Sequence, residues 1–182
     1  MLLVAIYYFH KYMSQLANFY PIQTGKDNKI LRTKSKEISA ITNDIIDFAG
    51  DLLELMYEYD WVWLASPQIG KNIRMIATTT WKTWKKWQEL ASEEIMINPV
   101  ITEKSDEMVV SEEACLSIPN VIGNVKRHKN ITVEYKNIEW FKKRKKLKNY
   151  NAFIVQHEID HLNGILFIDK LISEPRETFQ EK

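Results

Sequence analysis

The chain has 182 residues, 45% of them hydrophobic, and a formal net charge of +1, so it can bury a core and has the composition of an ordinary globular protein. Its near-neutral charge excludes a general electrostatic attraction to nucleic acid or to acidic surfaces. Its one cysteine, Cys115, excludes an intrachain disulfide and favours a reducing, cytoplasmic location.

Residues 1–20 are predicted to form an N-terminal extension. The segment begins with nine apolar residues, whereas spanning a bilayer takes about 20. It also lacks the basic start and the small-residue cleavage site of a signal peptide. Two explanations stay open: a real extension at Met1, or a translation start at Met13. Residues 21–182 show no repeat or linker, and we predict that they form a single domain.

The predicted elements are a helix, a run of strands and a second helix. A polar lead-in (21–38) precedes a helix that Thr42 caps, whose apolar face comprises Ile45, Ile46, Ala49, Leu52, Leu53 and Met56. Extended runs rich in β-branched residues predict mostly antiparallel strands at 73–80, 94–101, 107–119 and 130–135. A second helix is predicted from about Asn151 to Leu162, ended by Gly164. The fold class predicted is α+β.

The second helix carries the strongest chemical signal, "HEIDH" at 157–161. His157 and His161 are four residues apart, so their imidazoles leave the same helix face and can bind one divalent metal ion. Glu158 beside them can accept a proton. A catalytic metal needs a third protein ligand. The residues alone leave open whether a downstream carboxylate or the thiolate of Cys115 supplies it; the downstream candidates are Asp169, Glu174 and Glu177.

Three segments together resemble the signature motifs of the peptide deformylases. They read "WVWLASPQ" at 61–68, "EACLS" at 113–117 and "HEIDH" at 157–161, in the order and spacing of that family. The resemblance implies an α+β fold in which antiparallel sheets surround a C-terminal metal-binding helix. It also implies a metallohydrolase that removes the formyl group from the initiator methionine of nascent polypeptides.

The resemblance further assigns roles to six residues. The implied metal ligands are Cys115, His157 and His161, and the implied metal is Fe²⁺, although such a site also accepts Zn²⁺, Ni²⁺ or Co²⁺. The implied catalytic groups are the carboxylate of Glu158, the side-chain amide of Gln68 and the backbone N–H of Leu116.

The surroundings of these residues carry weaker predictions. Glu113 is expected to orient the site, and Arg127 to pair with Asp160. The basic run "KKRKKLK" at 142–148 is interpreted as a solvated hairpin, with a transient contact to ribosomal RNA as the sharper hypothesis. No membrane or DNA partner is expected.

Tryptophans stand where the resembled motif has glycine, at Trp61 and Trp63. The chain has six tryptophans and only five glycines, whereas average glycine usage is about 7%. We therefore hypothesise that the tryptophan codons are UGA, which some bacterial lineages read as glycine. The other four positions concerned are Trp81, Trp84, Trp87 and Trp140. With glycines, "WKTWKKW" at 81–87 becomes a polar loop.

Two other functions stay open. One is a different HExxH metallohydrolase, such as a peptidase, in which Cys115 is merely buried. The other is an inactive deformylase-like protein that binds peptide or ribosome, its cleft filled by real tryptophans.

Overall fold

Two antiparallel sheets and two α-helices make up the part of the chain that the computed structural model describes, residues 19–81 and 90–177. The helices are α1 (Asn43–Glu58) and α2 (Tyr150–Leu162), and two short 3-10 helices cover Ser66–Ile69 and Phe167–Lys170. The strands are β1 (Trp63–Ala65), β2 (Met75–Trp81), β3 (Leu90–Lys104), β4 (Met108–Cys115), β5 (Ile118–His128), β6 (Asn130–Lys136), β7 (Lys142–Lys148) and β8 (Arg176–Glu177).

The strands form a five-stranded sheet in the order β1-β2-β3-β6-β7 and a three-stranded sheet in the order β4-β5-β8. Every pair of neighbours is antiparallel. This confirms the α+β class with antiparallel sheets.

Helix α1 begins where the sequence predicts. The hydroxyl of Thr42 accepts a hydrogen bond from the backbone N–H of Ile45, which satisfies one of the donors that a helix start leaves free. The predicted face is wrong at one position, since Ile46 is 48% exposed. The buried face contains Phe48 and Leu55 instead, because the helix is rotated slightly from the predicted orientation.

The predicted strands all form, with three differences. The run 107–119 contains a turn at Leu116 and Ser117, so it covers β4 and the start of β5. β1 was not predicted as a strand. The basic run 142–148, interpreted as a solvated hairpin, is the edge strand β7, and in it only Leu147 is buried.

Helix α2 lies between the two sheets and brings the HExxH residues into the interior. It packs against β1, β2 and β7 of one sheet and β5 of the other, and every residue from 154 to 162 is buried. The predicted stop is confirmed. Gly164 has φ +75°, and a Cβ there would lie 2.6 Å from the carbonyl oxygen of Arg32, so only glycine fits.

Two sequence predictions concern residues that lie mostly outside the described ranges. They are the N-terminal extension, of which residues 1–18 lie outside, and the polar loop between β2 and β3, of which residues 82–89 lie outside. Within the described ranges, neither α-helix is long and apolar enough to cross a membrane.

Candidate metal centre

The structure brings together the three residues that the sequence proposes as metal ligands. Cys115 ends β4, and His157 and His161 lie one turn apart on α2. Their ligand atoms all lie within 4.8 Å of one another, with the Sγ of Cys115 3.2 Å from the Nε2 of His161. All three side chains are buried.

The local backbone of β4 aims the thiol toward the helix. The pairing of β4 with β5 shifts register between Ala114 and Cys115, but the extra residues lie in β5, so side chains alternate along β4 to its end. Glu113 and Cys115 are two residues apart, so both point to the same face of the sheet. That face is the inner one, because both side chains are buried while Glu112 and Ala114 are exposed.

A buried ion-pair network surrounds His157, the first histidine of the HExxH motif. The Oε2 of Glu113 lies 2.9 Å from the Nδ1 of His157. Arg127 donates to both carboxylate oxygens of Glu113, at 2.7 and 2.8 Å, and also donates to Asp160. Asp160 in turn accepts from Lys170. Both expected contacts, Glu113 with the site and Arg127 with Asp160, are therefore present.

The network holds Glu113 ionised. Burial alone would raise the pKa of this carboxyl, but hydrogen bonds from Arg127 and His157 outweigh burial and lower the pKa to about 2. A fixed negative charge at Nδ1 favours a proton there and leaves the Nε2 of His157 as the free ring nitrogen.

Several buried polar atoms of the centre have no partner among the described residues. They are the Nε2 of His157, the Nδ1 of His161 and both carboxylate oxygens of Glu158. Buried polar atoms are normally hydrogen-bonded. The unpartnered Nε2 of His157, together with the Nε2 of His161 that faces the buried thiol, therefore fits a divalent metal, for which imidazole and thiolate are suitable ligands.

Glu158 is fully buried beside these ligands. Burial disfavours its charged form and raises its pKa to about 7, even though the neighbouring charge of His157 acts in the opposite direction. A carboxyl with a pKa near neutrality is suited to accept and return a proton.

Gln68 lies in the 3-10 helix after β1 with its amide turned toward the centre. The Oε1 of Gln68 accepts a hydrogen bond from the backbone N–H of Ala65 at 2.9 Å. This contact leaves the Nε2 as donor, 3.5 Å from both the Sγ of Cys115 and the Oγ of Ser117. Leu116 directly follows Cys115, in the turn that leads to β5.

A cavity of about 230 Å³ opens beside the centre. His157 lines it together with the rings of Trp61, Trp63 and Tyr150. Ile154 of α2 adds an apolar side chain to the lining. Sequence reasoning missed Tyr150, for which an aromatic residue at the start of the metal-binding helix was the only signal.

The downstream carboxylates do not join the centre. Asp169 binds Arg32 and the backbone N–H of Leu166, while Glu174 and Glu177 are exposed. Among the described residues, the cluster of ligand atoms contains the thiol of Cys115 and no downstream carboxylate.

The chain is similar in sequence and in fold to known proteins. The model of the polypeptide deformylase family matches residues 19–177. A peptide deformylase of Pseudothermotoga lettingae is 38% identical over 153 residues, which cover 84% of each chain. The crystal structure of peptide deformylase from Thermotoga maritima superposes with a TM-score of 0.76 at 33% identity, covering 85% of this chain and 98% of the other. A Met-Ala-Ser bound class I type b peptide deformylase from Acinetobacter baumannii superposes with a TM-score of 0.76 at 31% identity, covering 83% and 97%.

Proposed function

The chain belongs to the polypeptide deformylase family, and we propose that Cys115, His157 and His161 hold the metal ion with which it removes the N-formyl group from the initiator methionine of new polypeptides. The observation that carries this assignment is the convergence of one thiol and two imidazoles within 4.8 Å. A thiolate with two imidazoles suits Fe²⁺, and we propose this ion, although Zn²⁺, Ni²⁺ and Co²⁺ fit the same donors.

The enzyme is a hydrolase, and its own residues supply the proton transfer. When bound, a divalent metal ion lowers the pKa of water and polarises a carbonyl group. We propose that the carboxylate of Glu158 accepts the proton of the attacking water and then delivers it to the departing amine of methionine. Burial raises the pKa of this carboxyl above its ordinary value, which makes it a better base for the first step.

The developing negative charge on the formyl oxygen needs hydrogen-bond donors aimed at it. Gln68 has an amide whose orientation is already fixed, since its Oε1 accepts from Ala65. We propose the Nε2 of Gln68 and the backbone N–H of Leu116 as these donors. Fixed donors need no reorganisation during the reaction, which is the source of their catalytic effect.

The position of Cys115 disfavours the peptidase alternative. In that alternative the thiol is only a buried apolar group, yet it lies 3.2 Å from the Nε2 of His161 and within reach of the amide of Gln68. The Met-Ala-Ser bound structure of the Acinetobacter relative further supports a substrate that begins with methionine.

A deformylation assay tests the function. The enzyme is loaded anaerobically with Fe²⁺ or Ni²⁺ and given formyl-Met-Ala-Ser, and the free amine is measured. We expect turnover, and we expect the Glu158→Gln variant to bind the same amount of metal while its kcat falls about 10²–10⁴-fold. Metal-loaded enzyme that releases no amine would contradict the proposed function, and full activity in Glu158→Gln would contradict the role of the carboxylate.

We further propose the cytoplasm as the location and the ribosome as a transient partner that contacts β7. Six of the seven residues of this edge strand are basic. Lys145 pairs with Glu94, and Arg144 pairs with Glu103 and Glu134. Among the described residues, no carboxylate lies within ion-pair distance of Lys142, Lys143 or Lys148. These ammonium groups can therefore bind RNA phosphates, as formylated nascent chains emerge from the ribosome.

Co-sedimentation with ribosomes at several salt concentrations tests this contact. We expect replacement of Lys142, Lys143 and Lys148 by serine to weaken binding and to reduce its salt dependence. The same number of charges removed from the lead-in, at Lys26 and Lys29 together with Lys34, serves as the control. Equal loss of binding in the two variants would mean that only net charge matters.

A further inference from the structure

Trp140 has a backbone conformation that favours glycine. Its φ is +67°, in the left-handed region, where a bulky side chain is a genuine outlier. Four other non-glycine residues among those described have positive φ, namely Asp60, Asn98, Asn120 and Asn149. All four are Asp or Asn, whose short polar side chains tolerate this region. Trp140 is the exception.

The hairpin that joins β6 to β7 requires this conformation. The backbone N–H of Trp140 donates to the carbonyl of Asn137 at 2.9 Å, and the N–H of Asn137 donates to the carbonyl of Phe141 at 3.0 Å. The two bonds enclose a three-residue loop whose last residue is left-handed. In hairpins with three-residue loops, the third loop residue forms a β-bulge in the left-handed conformation, and glycine is preferred at this position.

Trp61 and Trp63 occupy space beside the metal centre. Their rings contact each other edge to face at 5.4 Å between centroids, and the ring of Trp63 contacts Tyr150 at 5.8 Å. Both indoles line the cavity that reaches His157. They therefore take up volume that a substrate needs when its reacting carbon lies next to that histidine.

One cause accounts for all three positions. We propose that residues 61, 63 and 140 are glycine in the protein that the cell makes, because their codons are UGA and the cell decodes UGA as glycine. The codons UGA and UGG differ only in the third base, and a table that reads both as tryptophan produces the printed sequence. The excess of six tryptophans over five glycines follows from the same cause.

Glycine at 61 and 63 also changes the pocket, a consequence that rests on the proposed function. With glycine at 61 and 63, the wall of the cavity next to His157 is backbone rather than indole. The space that the two rings fill becomes available to the side chain and backbone of a formylated peptide. The identity of residue 140 has no such dependence, since only the hairpin backbone demands it.

The codons in the source DNA provide the direct test. We expect TGA at positions 61, 63 and 140, and also at 81, 84 and 87. Mass spectrometry of tryptic peptides from protein isolated from its own cells should show glycine at 140. A TGG codon at 140, or an indole-containing peptide from the native protein, would overturn the inference whatever the activity of the enzyme.

Recombinant variants test the consequence for the pocket. The chain as printed is compared with Trp61→Gly/Trp63→Gly in the deformylation assay, with bound metal measured separately in each. We expect kcat/KM to rise at least tenfold in the double variant. Trp140→Gly, the same change outside the cavity lining, serves as the matched control and should leave kcat/KM within about twofold. Equal activity of the printed chain and the double variant would overturn the proposed effect on the pocket.

Failure of the proposed function can be distinguished from failure of the glycine assignment. If neither chain hydrolyses the peptide although both bind metal, the proposed function fails, while TGA codons would still establish the glycines. The left-handed conformation of residue 140 can be tested separately. Trp140→Gly should melt at a higher temperature than Trp140→Ala, because alanine lacks the freedom to adopt positive φ, whereas at ordinary positions alanine is the more stable of the two. The opposite order would overturn the argument from Trp140.

Discussion

The Oε2 of Glu113 lies 2.9 Å from the Nδ1 of His157, so the proposed metal ligand is oriented by a carboxylate that Arg127 in turn holds with two hydrogen bonds. This arrangement fixes which nitrogen of His157 faces Cys115. Partners of this kind orient a ligating imidazole and increase its basicity.

Replacing Glu113 by glutamine should therefore weaken metal binding. We expect the affinity for Zn²⁺ or Co²⁺, measured by competition with a chelator, to fall about 10–100-fold. The metal-free protein should also lose about 3 kcal/mol of unfolding free energy, because Arg127 is 2% exposed and loses one of its two anionic partners. Glu107→Gln, which removes a carboxylate from an exposed pair with Lys129, is the control. Unchanged affinity in Glu113→Gln would show that the contact does not orient the ligand.

Cys115→Ser tests the third ligand. The thiolate should contribute a sulfur-to-metal absorption band in the Co²⁺-loaded protein, and we expect this band to disappear in the variant together with most of the metal affinity. Ser117→Ala changes the same motif without touching a proposed ligand and should keep the band. If Cys115→Ser binds Co²⁺ as tightly as the unaltered protein, the thiol is not a ligand and the peptidase alternative regains support.

Two variants separate the roles of the two hydrogen-bonding atoms of Gln68. Gln68→Glu keeps an oxygen that accepts from Ala65 but loses the Nε2 donor, whereas Gln68→Ala loses both the acceptor and the donor. Because the donor is proposed to stabilise the formyl oxygen only in the transition state, we expect kcat to fall about 10²–10³-fold in both variants with little change in KM. A variant with raised KM and unchanged kcat would assign Gln68 to substrate binding instead.

Much of the site could be predicted from local spacing. Four-residue spacing puts His157 and His161 on one helix face, and two-residue spacing puts Glu113 and Cys115 on one strand face. Local spacing could not predict that the helix face and the strand face lie next to each other. Their proximity depends on α2 packing between the two sheets, and the sequence predicted it only through the resemblance of three motifs to a known family.

The fold predictions failed where local pattern and tertiary contact disagree. Ile45 and Ile46 are adjacent, so the apolar face of α1 could be drawn through either one, and packing selected the side that leaves Ile46 exposed. The segment 142–148 has only one buried residue, Leu147, and no local signal for a strand. It is extended because every residue pairs with β6, a nonlocal interaction.

The pair of Arg32 and Asp169 joins the lead-in segment to the 3-10 helix after α2, and it should make stability depend on pH. Burial tends to raise the pKa of Asp169, but the hydrogen bond from Arg32 and that from Leu166 lower it below the ordinary 3.8. A depressed folded pKa means that the carboxylate contributes stability above the unfolded value, and that this contribution is lost as the pH falls through the folded value. The two side chains are 32% and 38% exposed, so solvent screening limits the effect.

We therefore expect Asp169→Asn to lower the free energy of unfolding by about 0.5–1 kcal/mol at pH 7, and the difference from the unaltered protein to disappear in strongly acidic solution. Urea denaturation of the metal-free protein across this pH range measures both. Asp106→Asn, which removes the same charge from a residue with no ion pair among those described, corrects for net charge. A difference that persists unchanged at the acidic end would mean that asparagine acts through packing or through the bond to Leu166, since protonation would already have neutralised the carboxylate.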